Sequence, residues 1–180
     1  MSENRDAVLS EMLVSLIRGK KYASVRDAME TVQRENHMLM QEITRMFNEL
    51  GKESVTFTVR GYSMRPFLED CRDKVILTPP RKPHTGDVVL ARIDEKRYAM
   101  HRVIKVEKDK YTMQGDGNPT YMKEVFCEAD IIGIADAFIR KGKTVTTQST
   151  TWRAYSAAWR ILKPFRRILL AVYRRTRSTQ

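Results

Sequence analysis

From Ser54 onward the chain changes its hydrophobic period, and that change limits the fold more than any other feature. The segments "SVTFTV", "KVILTP", "DVVLARI", "RYAMHRVIKVE", "KYTMQG" and "DIIGIADAF" are short, β-branched and separated by turn residues. β-Branched side chains are stiff and pack well on a pleated surface, so such runs predict strands. Asp94-Glu95-Lys96 and Lys108-Asp109-Lys110 interrupt them as hairpin tips. The segment "PPRKPHTGD", from Pro79 to Asp87, holds three prolines and a glycine and excludes regular structure. The expectation is a compact, coiled, mostly antiparallel β domain over residues 51–140.

On either side the period is helical. Leu9, Met12, Leu13, Leu16 and Ile17 form a short apolar face, broken by Gly19-Lys20-Lys21. Ser24 stands as an N-cap before a second stripe of Val25, Met29, Val32, Leu39, Ile43, Met46 and Leu50, which Gly51 ends. Residues 1–50 therefore read as a helical pair whose Met-rich stripe packs on the β domain. Residues 141–180 read as a polar connector, within "RKGKTVTTQST", and then an amphipathic helix kinked at Pro164. Trp152, Tyr155, Trp159, Leu162, Leu169 and Val172 line one side of that helix. Arg153, Arg160, Lys163, Arg167 and Arg174 lie mostly on the other. The fold class is mainly β within α+β, flanked by the helical pair and the C-terminal helix.

Charge is unevenly placed. The chain carries 33 Lys and Arg against 22 Asp and Glu, a formal charge of +11. No acid follows Asp136, whereas eleven cations do, so the body is neutral and the tail holds the whole excess. An electrostatic partner is thus met by the C-terminus. Cations opposite aromatics fit the interface of an anionic bilayer, with Trp152, Trp159, Arg160, Arg166 and Arg167 as the expected contacts within residues 151–177. The competing reading docks the same helix on its own domain. The balanced charge of the N-terminal helices argues against a nucleic-acid partner.

No run reaches the roughly 18–20 apolar residues of a membrane span. The first residues carry acids where a signal peptide has cations. The expected location is cytoplasmic, peripheral on the inner face of the membrane. Cys71 and Cys127 lack metal spacing and a dense disulfide pattern, and no metal or cofactor is expected.

Three stretches bear chemistry. Gly61-Tyr62-Ser63-Met64-Arg65-Pro66 follows the first strand, and a nucleophilic serine needs a strand edge, a base and N–H groups facing the oxyanion. Gly61 permits close approach of a peptide backbone. His101 lies in "RYAMHRVIKVE", and an imidazole of near-neutral pKa accepts a serine proton readily. Gly115-Asp116-Gly117-Asn118 is a tight turn presenting a carboxylate able to hold the imidazole tautomer. Taken singly, each is commonly a structural turn or a packed histidine. Together, in this order within a β domain, they point to acyl-transfer chemistry.

The stretches "GYSMRP", "GDVVLARI", "HRVIKV", "MQGDGN" and "IIGIA" resemble the signal-peptidase superfamily, which includes the self-cleaving repressor-type peptidases. The resemblance covers residues 54–138. It implies Ser63 as nucleophile and His101 as general base, in the histidine branch typical of archaeal and endoplasmic-reticulum signal peptidases. Asp116 is the first choice for the orienting carboxylate. That branch carries a further aspartate a few residues on, where this chain has Met122, followed by Lys123 and Glu124. Glu124 is the alternative third member, and a Ser-His dyad is another.

Gly61 resembles the repressor-type motif and leaves the oxyanion to backbone N–H groups, chiefly that of Ser63. Gly61, Ser63, Met64 and Pro66 are the expected oxyanion and substrate-binding residues. The implied partner is a peptide or precursor-protein leader bound extended beside the strand before Ser63, with small side chains near the cut. Two other readings are an inactive peptide-binding scaffold and a self-cleaving transcriptional regulator. The second lacks the Ala-Gly or Cys-Gly bond such regulators cut.

Overall fold

The computed structural model describes residues 25–95, 97–162 and 165–177. Helix α1 (Val25–Asn48) leads into β1 (Val55–Thr58), β2 (Lys74–Thr78), β3 (Val88–Arg92), β4 (Tyr98–Glu107), β5 (Lys110–Gln114), β6 (Glu124–Phe126), β7 (Ile131–Arg140) and β8 (Lys143–Thr146). Helices α2 (Thr150–Ile161) and α3 (Arg166–Arg177) complete it. The strands form one antiparallel sheet in the order β1-β2-β7-β3-β4-β5-β6, with β8 paired to β7. Because β7 lies between β2 and β3, the proline-rich segment 79–87 crosses over the sheet without joining it.

Register shifts at Ile76/Leu77, Leu90/Ala91 and Val103/Lys105 coil the sheet, since a bulge bends its strand and sharpens the twist. Two cores result. Val89, Val103, Tyr111, Met113, Phe126 and Ile134 form one at the β3–β6 end. The other joins Val75, Leu77 and Phe138 to Met64, Phe67 and Leu68 of the β1–β2 loop, to Ile43 and Phe47 of α1, and to Trp152 of α2. Each large apolar side chain buried there contributes about 1.5–3 kcal/mol.

The helical expectation for residues 25–50 is met, with one correction of its face. Ala28, Met40, Ile43 and Phe47 are buried, whereas Met29, Leu39 and Leu50 of the expected stripe are exposed. The face is set by where the sheet presents its groove: the Phe47 ring packs where a Cβ on Gly133 would stand 3.2 Å away. His37 Nδ1 meets the Tyr98 hydroxyl at 2.6 Å and ties α1 to β4. Gly51, at φ +59, ends the helix where an L side chain would be strained. The first expected helix, the Ser24 cap and Pro164 lie outside the described residues.

At the other end, the connector proves to be structured in part. Lys143–Thr146 hairpins back onto β7, and the Ser149 hydroxyl accepts from the Trp152 N–H to cap α2. The single C-terminal helix expected from the sequence is two helices, α2 and α3.

Candidate active site

Ser63 sits on the loop between β1 and β2, whose ends are closed by Val59 N–H to the Asp73 carbonyl and Cys71 N–H to the Val59 carbonyl, both 2.9 Å. Met64, Phe67 and Leu68 anchor it in the core. Gly61 turns the chain at φ 91, in the region that favours glycine, and its N–H donates to Asp70 Oδ1 at 2.7 Å. Buried Asp73 organises the far side, accepting both Nε and Nη2 of Arg72 and the Glu69 N–H. Burial alone raises the Asp73 carboxyl, but Arg72 and the Glu69 and Lys141 N–H groups outweigh it and hold the carboxyl below its ordinary value.

The loop is held by packing and hydrogen bonds around a half-buried serine. Among the described residues, no hydrogen bond uses the N–H of Ser63 or Met64, leaving both available to an oxyanion. Met64 itself is a correction to the expected substrate contacts. Its side chain is buried in the core, so only its backbone can serve, while Pro66 remains half-exposed.

The turn after β5 closes on this loop. Gly117 N–H donates to the Ser63 carbonyl at 2.7 Å. A Cβ on Gly115 would stand 2.5 Å from that carbonyl and 2.9 Å from His101 Nε2, and one on Gly117 would stand 2.5 Å from the Tyr62 carbonyl. Two glycines are present because two backbones and an imidazole meet at van der Waals limits. Among the described residues no hydrogen bond joins the Ser63 hydroxyl to His101. The imidazole Nε2 and the Ser63 carbonyl instead both crowd the Cβ position of Gly115. Pairs of this kind are often loose without substrate.

The carboxylate that meets His101 is Glu124, with Oε2 2.9 Å from Nδ1. That contact places the proton on Nδ1 and leaves the Nε2 lone pair toward Gly115 and the serine loop, the tautomer a general base requires. The sheet register explains why. Val103 opposes Met113, Met113 opposes Glu124, and His101 lies two residues before Val103, so all four share one face.

Asp116, the first-choice orienting carboxylate, is corrected by the same register. Arg102 opposes Gln114 and points to the other face. There its guanidinium forks onto Asp116, Nε to Oδ1 at 2.9 Å and Nη2 to Oδ2 at 2.7 Å, with both groups almost fully buried. Arg102 Nη1 also donates to the Gly86 carbonyl and the Ser156 hydroxyl. The Tyr155 hydroxyl donates to Asp116 Oδ2 at 2.9 Å. Burial, then the Asp116 charge, push the Tyr155 hydroxyl far up, so it remains a neutral donor. Burial alone would lower Arg102, but Asp116 more than offsets it.

Sequence reasoning passed over several supporting residues. Buried Gln114 donates to the carbonyls of Pro119 and Met122, which fixes the approach to β6 and hence Glu124. Its signal was a polar residue at an inward strand position. The C-terminal helix reads from sequence first as a membrane-surface element, with docking on its own domain as the competing reading, and Trp152 is in fact buried among Phe67 and Phe138, with ring centroids 4.8 and 4.5 Å away. Trp159 Nε1 and Arg166 Nε donate to the Asp116 carbonyl, and Arg166 Nη2 donates to the Gly115 carbonyl. Trp152 and Arg166 are therefore corrected as membrane contacts: aromatic stacking and bare turn carbonyls draw them inward. Arg160 is exposed, and the Arg167 side chain lies outside the described part of the chain.

Among the described residues no cluster of His, Cys, Asp and Glu has the makings of a metal site. Residues 18–136 match the family model described as Peptidase S24-like, of the clan that holds signal peptidase I and the repressor-type peptidases. No curated protein matches the chain.

Proposed function

The chain belongs to the Peptidase S24-like family, and on that premise we propose that it is a serine endopeptidase working through Ser63, His101 and Glu124. The observation that carries the reading is the 2.9 Å contact of His101 Nδ1 with Glu124, which frees Nε2 on the side of the Ser63 loop. Ser63 Oγ attacks the scissile carbonyl while Nε2 takes its proton. The oxyanion is met by the unengaged N–H groups at Ser63 and Met64. The imidazolium, held by Glu124, then protonates the leaving amine, and water releases the acyl group by the same route.

The substrate is a peptide or precursor leader. Among the described residues strand β1 pairs with β2 alone and leaves an edge beside the Ser63 loop, where an extended chain adds main-chain hydrogen bonds. A fluorophosphonate probe tests this directly. The wild-type chain is expected to label, Ser63→Ala not at all, and His101→Ala about 10²–10⁴-fold more slowly. Labelling that survives Ser63→Ala sinks the reading by placing the nucleophile elsewhere, and wild type that fails to label leaves a peptide-binding scaffold in its place.

A further inference from the structure

With Trp152, Tyr155 and Arg166 turned inward, α2 and α3 show solvent a different face from the one the helical wheel marked. On α2, Ala154, Ala158 and Ile161 recur at helical spacing on the exposed side. Leu162 follows, and Phe165 and Ile168 continue the apolar surface onto α3. Ile161, Phe165 and Ile168 are 75, 58 and 65% exposed, the state large apolar side chains adopt when their partner lies outside the fold. Arg153 and Arg160 flank it along α2, and exposed Arg175 stands seven residues beyond Ile168 on the same side of α3. No acid follows Asp136 in the chain, so no carboxylate of the tail dilutes this field.

We infer that this face, centred on Ile161, Phe165 and Ile168, is a docking surface for an anionic lipid bilayer. Apolar side chains enter the acyl boundary while the flanking arginines meet headgroup phosphates. The mode is peripheral, because no helix among the described residues is long and apolar enough to cross a membrane. Charge complementarity selects the bilayer over an acidic protein groove. The cations rim an apolar centre spread over α2 and α3, which suits an extended interface. The inference stands apart from the catalytic reading, since Ser63 takes no part in it.

The test is co-sedimentation of the full chain with phosphatidylcholine vesicles and with vesicles that also contain phosphatidylglycerol. Wild type and Ser63→Ala are expected to partition equally onto the anionic vesicles, more weakly as salt rises, and far less onto phosphatidylcholine alone. Phe165→Asp with Ile168→Asp is expected to lower partition about tenfold or more while the thermal midpoint stays near wild type, since both side chains are already solvated. A second variant, Arg153→Glu with Arg160→Glu, is expected to abolish the preference for phosphatidylglycerol. The inference is overturned if wild type ignores both vesicles, or if the double aspartate variant binds as well as wild type. It also falls if ultracentrifugation finds a dimer that the aspartates dissociate and the vesicles do not bind, since a second copy is then the occupant.

Discussion

His101 and Arg102 are neighbours on β4, yet they serve opposite ends. Arg102 points into the region where α2 covers the sheet, and its polar atoms are met by Asp116, the Gly86 carbonyl and Ser156, with its guanidinium over the Trp152 ring. His101 points to the other face, where Glu124 satisfies Nδ1 and the Nε2 side abuts Gly115 and the serine loop. A buried charge left unpaired is strongly destabilising, so the Arg102 side must be completed by the fold. The base of the proposed mechanism must keep one lone pair available, so on that reading the His101 side is left open. The contrast separates two carboxylates, Asp116 and Glu124, of which the sequence had put Asp116 first.

The largest expected effects are a crossed pair that would break this contrast. Asp116→Asn should destabilise the fold by about 3–5 kcal/mol, read from the denaturant midpoint, because Arg102 is then buried without its counter-charge. Glu124→Gln should slow serine labelling about 10²–10⁴-fold while shifting stability by about 1 kcal/mol or less. If Asp116→Asn is silent in stability or Glu124→Gln is silent in labelling, the assignment of roles is wrong.

A middle effect comes from Gly115→Ala. Its Cβ meets the Ser63 carbonyl and His101 Nε2, so the backbones must part. A loss of about 1–3 kcal/mol, together with slower labelling, is expected, since the turn touches both sides of the contrast.

Asp73 offers a comparison in pH. Its carboxyl is held below the ordinary value in the fold, so the stability it contributes is present above the unfolded pKa and is lost as pH falls through the folded one. The unfolded pKa is about 3.9, so the acid limb should steepen below about pH 4, and Asp73→Asn should flatten it. Urea titrations across that range would show this. The smallest effect is Tyr155→Phe, which removes one donor from Asp116 and should cost about 1 kcal/mol without altering labelling.

Much of this was legible before any coordinate. The β-branched runs became strands, Lys108-Asp109 became a turn, and the proline-rich stretch stayed irregular, because each rests on local sterics that a short window contains. The C-terminal helices were legible as amphipathic, but the choice of covering was not. A helical wheel ranks faces by polarity, whereas the real choice depended on Phe67 and Phe138 stacking on Trp152 and on turn carbonyls that accept from Trp159 and Arg166. A wheel contains neither.

By itself the sequence determined which residue types were present for chemistry: a serine after a glycine turn, a strand histidine followed by arginine, and two carboxylates nearby. Tertiary structure alone decided which carboxylate went where. Strand neighbours face opposite ways, and the pairing of β4 with β5 and of β5 with β6 carries Glu124 to the face of His101 and leaves Asp116 to Arg102. A register is a relation between strands, so no single stretch of the chain could reveal it.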